Sequence, residues 1–67
     1  MAVDNAEWQL LLSEYQKALQ AFESASHILM AHFLAKTAPT ENQVKTEQAA
    51  QEWLVIARRN LWAAWRN

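Results

Sequence analysis

Lys36-Thr37-Ala38-Pro39-Thr40-Glu41-Asn42-Gln43-Val44 is the stretch that decides the fold of this chain. Thr40 followed three residues later by Gln43 is a capping box, in which each side chain accepts a hydrogen bond from the other residue's backbone N–H at the start of a helix. Pro39 drives the preceding Ala38 toward extended geometry and can pack on Val44 as a hydrophobic staple. A helix running unbroken through Pro39 would lose a backbone hydrogen bond at a cost of about 3 kcal/mol. One helix must therefore end at the start of this stretch and another begin in it. The expected turn is 37–40, with Lys36 in the last turn of the first helix, where a cation suits the carbonyl end. So short a connection returns the second helix antiparallel to the first.

Outward from the turn, both flanks carry helical periodicity. Toward the N-terminus, Trp8, Leu12, Tyr15, Leu19, Phe22, Ser26, Leu29 and Phe33 recur at alternating spacings of four and three, a heptad-like seam that only Ser26 breaks. Asp4 and Glu7 repeat the capping-box chemistry at its start, with Val3 placed to staple onto Trp8. Toward the C-terminus the seam is Ala50, Leu54, Ala57, Leu61 and Ala64, with Trp53 and Trp65 on its flanks. Alternating Ala with Leu leaves room for Tyr15, Leu19 and Phe22 opposite. The break at Ser26 is explained most simply by packing against a bulky side chain such as Trp53, and alternatively by a polar residue that fixes register. The expectation is an all-α antiparallel two-helix hairpin forming one domain over 1–67, with helices over 5–36 and 41–66.

Composition agrees with this pattern. The 67 residues include no Gly and one Pro, as helices joined by a minimal turn require, and the four Trp, two Phe and one Tyr supply more burial potential than a disordered tail carries. With no cysteine, disulfides and thiolate metal sites are excluded. No apolar run is long enough for a signal sequence or a membrane span, so a cytoplasmic protein without a transmembrane segment is expected. A net charge of −1 with interspersed signs provides no global field to recruit nucleic acid or anionic lipid.

The apolar surface exceeds what one helix-helix seam can use. Helix 1 adds a flank of Leu10, Ala21 and Ile28, and near the turn it offers Met30, Phe33 and Leu34 where helix 2 answers with Lys45, Thr46, Glu47 and Gln48. Helix 2 adds Val55 and Trp62, seven residues apart and off its main seam. These eight residues, Leu10, Ala21, Ile28, Met30, Phe33, Leu34, Val55 and Trp62, are the expected contacts with a partner. A homodimer completing a four-helix bundle is the commonest closed solution, and a hetero-complex with another helical protein would cover the same faces. The function expected is that of a non-enzymatic protein-protein interaction or regulatory module: an adaptor, a small chaperone or a regulatory subunit.

Little in the sequence carries other chemistry. His27 and His32 are five residues apart, too far round a helix to share one ion, and Glu23 with His27 makes at most half of a zinc site. Their ordinary reading is a solvated imidazole at 27 and one bordering the interface at 32. The glutamates are scattered as caps and exposed charges, and Ser13, Ser24 and Ser26 have no positioned base. No catalytic residue, metal site or cofactor is expected. The C-terminal Arg58, Arg59, Trp62 and Arg66 interleave cations with an aromatic, the chemistry of phosphate contact plus base stacking. Nucleic-acid binding is thus the alternative to a protein partner, although cations near a helix C-terminus are also favoured by the dipole alone.

Overall fold

The computed structural model describes residues 5–66. They form two helices, α1 (Asn5–Leu34) and α2 (Glu41–Arg66), with no strand among the described residues. The rod measures 50 × 14 × 13 Å. The chain is an all-α helical hairpin, and its antiparallel sense is fixed by contacts that join distant residues. The Trp8 and Trp65 rings lie 5.9 Å apart at a 46° tilt, and Trp53 Nε1–H donates to Glu14 Oε2 at 3.3 Å.

The turn follows from local chemistry. α2 opens on the predicted box, with the Gln43 N–H donating to Thr40 Oγ1 at 3.1 Å and the Thr40 N–H donating to Gln43 Oε1 at 2.9 Å. The Val44 N–H then donates to the Thr40 carbonyl, and a Lys45–Glu41 ion pair of 3.0 Å spans the first turn. α1 stops two residues earlier than expected. Lys36 lies outside the helix with φ of 58°, its N–H donates to the Phe33 carbonyl at 3.1 Å, and the Thr37 N–H donates to the His32 carbonyl at 2.9 Å. This pair of bonds is a Schellman ending with lysine in the left-handed position that glycine usually takes. The Thr37 hydroxyl donates to the His32 carbonyl at 3.3 Å, and His32 Nδ1 lies within hydrogen-bond distance of the same hydroxyl oxygen at 2.9 Å. His32, not Lys36, is the basic residue of the last turn. The expected box at Asp4 and the Val3 staple lie outside the described residues.

The helix-helix contact is made by small residues. Ala18, Ala25, Ala50 and Ala57 are the buried apolar residues, and no larger side chain is fully buried among the described residues. The α2 seam is the expected one, with Leu54, Leu61 and Ala64 half-buried around the two alanines. On α1 the centre of contact differs from the expectation. At 100° per residue the Ala18–Ala25 line lies roughly 90° round the helix from Trp8, Leu19 and Ser26. Alanine spaced by seven on both helices leaves no side chain to hold the backbones apart, so α1 turns that stripe toward α2. Leu12, Tyr15, Leu19, Phe22 and Leu29 are left half-buried at its edge. Phe33 is not in the seam at all: it is exposed, because the helix ends one residue later with no apolar residue of α2 level with it. Nor does Trp53 cover Ser26, since its bond to Glu14 places it twelve residues away along α1, roughly 18 Å at 1.5 Å per residue.

Candidate interaction surface

The surface of the hairpin is more apolar in large residues than its interior. Ten large hydrophobic side chains are exposed, from 38% for Trp53 to 77% for Leu34. Of the residues expected to meet a partner, Leu10, Ile28, Met30, Phe33, Leu34, Val55 and Trp62 are among the ten, whereas Ala21 is half-buried.

These residues do not form one patch. On one side of the hairpin Trp8, Leu61, Trp62 and Trp65 line an open apolar depression of about 410 Å³. Trp65 was expected to border the intrachain seam and does so through Trp8. Its outer surface nevertheless shares the depression with Trp62, and the two indoles are exposed to nearly the same degree, 55% and 52%. On the opposite side Leu11, Glu14, Trp53, Ile56, Ala57 and Asn60 surround a small crevice of about 90 Å³. Leu10, Ala21 and Ile28 fall on this second side, because each lies within roughly 60° of Glu14 round α1. Ile56 and Trp53 are exposed apolar residues that the expected interface left out. The sequence signal for them was present, since Trp53 lies four residues before the Ala57 seam position and Ile56 three residues after Trp53.

The outer face of α2 joins the two sides. Arg59, Trp62, Ala63 and Arg66 line one open depression of about 470 Å³, and Val55, Ile56 and Arg59 line part of another. Arg58 is exposed but belongs to neither. Of the residues expected to contact nucleic acid, the structure therefore brings together Arg59, Trp62 and Arg66 and leaves Arg58 apart.

No group of three or more His, Asp or Glu able to hold a metal occurs among the described residues, and no buried side-chain polar atom there lacks a hydrogen-bond partner. His27 is exposed on the polar face and His32 is held in the turn by Thr37. No helix among the described residues is long and apolar enough to cross a membrane. The class that fold and surface define is thus a short all-α hairpin with its larger apolar residues facing outward. Comparison with family models, with curated proteins and with solved structures returns no match.

Proposed function

We propose that the hairpin is a non-enzymatic interaction module that self-associates into a four-helix bundle, with the dimer as its working unit. The observation that carries this is the inversion of burial. The residues buried between the helices are alanines, while Leu10, Met30, Phe33, Leu34, Trp62 and Trp65 are each more than half exposed. Removing such a side chain from water is worth about 1.5–3 kcal/mol, so covering several of them is a large driving force that one chain leaves unused. A two-fold dimer covers the same patch on both copies at once, and solvent exposure of this extent on a monomer marks an interaction surface. The test is a series of thermal melts across protein concentration. Mass action makes the melting temperature of an obligate dimer rise with concentration, and a concentration-independent melt at full helicity would contradict the proposal.

A second reading is favoured by one observation, the convergence of Arg59, Trp62 and Arg66 on one depression. Two guanidinium groups beside an indole suit a phosphate and a stacked base. Retention on a polyanion that falls steeply with salt supports it, since phosphate contacts release counterions. Retention that is absent at low salt removes it.

A further inference from the structure

Resting on the proposed self-association, we infer that the second copy lies antiparallel on the Trp8–Trp65 side of the hairpin, with Arg58 of each chain against Glu47 of the other. The two broad sides differ in continuity. At 100° per residue, Leu12, Leu19, Met30 and Phe33 all lie within roughly 40° of Trp8 round α1, interrupted only by Ser26. On the Trp53 side, Leu10, Ala21 and Ile28 are interrupted by Glu14, Lys17 and Ser24, and Glu14 is already engaged by the indole of Trp53. A helix seeking an unbroken apolar stripe finds it on the first side. The heptad-like line beginning at Trp8 is then used in full: its alanine edge meets α2 of the same chain and its leucine and aromatic edge meets the second copy. The rod offers a side of roughly 700 Å² in projection, close to the about 800 Å² per partner of a standard stable interface.

Charge sets the direction. On α2, Glu47 and Arg58 lie within roughly 20° of Trp65, and so on the same side. The only ion pair among the described residues is Lys45–Glu41, so neither has an ion-pair partner among the described residues of its own chain. Their midpoint falls between Glu52 and Trp53, within one residue of the centre of α2 (Glu41–Arg66). A two-fold axis crossing the rod there brings each Arg58 to the other chain's Glu47 while keeping almost the whole length of α2 in contact. It also brings Met30 and Phe33, uncovered at the turn end, toward the Trp62 and Trp65 end of the second copy. A parallel pair would instead place each Arg58 level with the other copy's Arg58 and each Glu47 level with its Glu47, so that no Arg58–Glu47 contact forms.

The test uses Arg58→Glu and Glu47→Arg, alone, mixed, and combined in one chain, read by sedimentation equilibrium with circular dichroism confirming helicity. Each single variant converts two opposite-charge contacts into two like-charge ones, and the expected effect is self-association weaker by roughly tenfold. An equimolar mixture of the two singles restores opposite charges at both contacts of the heterodimer, and the double variant restores them in its homodimer. Both should return to near the wild-type constant. Singles that associate like the wild type, or a mixture no tighter than its components, overturn the antiparallel pairing and leave self-association standing. A wild-type chain that stays monomeric throughout removes the self-association itself, and the pairing with it.

Discussion

Ala18→Leu is the substitution that most sharply separates a close-packed alanine contact from an ordinary leucine seam. Ala18 is 0% exposed, and the added isopropyl group points at the facing helix near Ala50, the buried alanine of α2 at the same level of the hairpin. With no space at the site, the larger side chain must push the helices apart or adopt a strained rotamer, at a cost of about 1–3 kcal/mol. For a domain of this size each kcal/mol moves the melting temperature by about 4–8 °C, so a fall of roughly 4–24 °C is expected. Thermal melts followed by circular dichroism at several concentrations provide the assay. The loss should appear at every concentration, because the defect lies within one chain. Ala31→Leu, on an exposed position of the same helix, should change stability by no more than about 0.5 kcal/mol. An Ala18→Leu variant that melts at or above the wild-type temperature would refute the close approach of α1 and α2 along Ala18 and Ala25.

Thr40→Ala removes one half of the box that starts α2 and should lower stability by about 1 kcal/mol, whereas Lys36→Gly relieves a β-carbon in the left-handed region and should raise it by roughly 0.5–1 kcal/mol; chemical denaturation reads both, and a stabilising Thr40→Ala or a destabilising Lys36→Gly would contradict the turn as described. Leu54→Asp places an unpaired carboxylate in the half-buried seam and should unfold the hairpin, while Gln16→Ala on the exposed face should be silent. If Leu54→Asp melts like the parent, the facing of α2 is wrong. Trp62→Ala should weaken association by about 2 kcal/mol, roughly thirtyfold, with helicity retained at high concentration. Trp65→Ala also removes the ring contact with Trp8 and should lower the melting temperature at every concentration; melts of both variants across concentration distinguish the two.

The fold was legible in the sequence because its decisive signals are local. Thr40 and Gln43 form their reciprocal bonds within four residues, and Pro39 excludes a continuous helix whatever surrounds it. The length of α1 was overestimated because a left-handed lysine carries no sequence mark comparable to glycine: Lys36 was read as the final helical cation, and it is the residue that ends the helix. The rotation of α1 was missed for a different reason. Large apolar residues dominate a periodicity reading, so the line through Leu12, Leu19 and Phe33 outweighed Ala18 and Ala25. Close approach is set by what is small, and the matching alanines at 50 and 57 were the available clue. For the surface, an excess of apolar residues could be seen in the sequence, including the bare turn end at Met30, Phe33 and Leu34. Their division between two sides could not, because it depends on the hairpin's own rotation: Trp53 with Ile56 faces one way and Trp62 with Trp65 the other.

The central claim is that one copy of this hairpin is an incomplete core, and sedimentation equilibrium across micromolar concentrations tests it most directly. A mass approaching twice that of the 7.7 kDa chain, with dissociation on dilution accompanied by loss of helicity, is the predicted result. A helical, cooperatively melting species of 7.7 kDa at every concentration would contradict it, showing that four buried alanines and a half-buried fringe suffice to hold the fold.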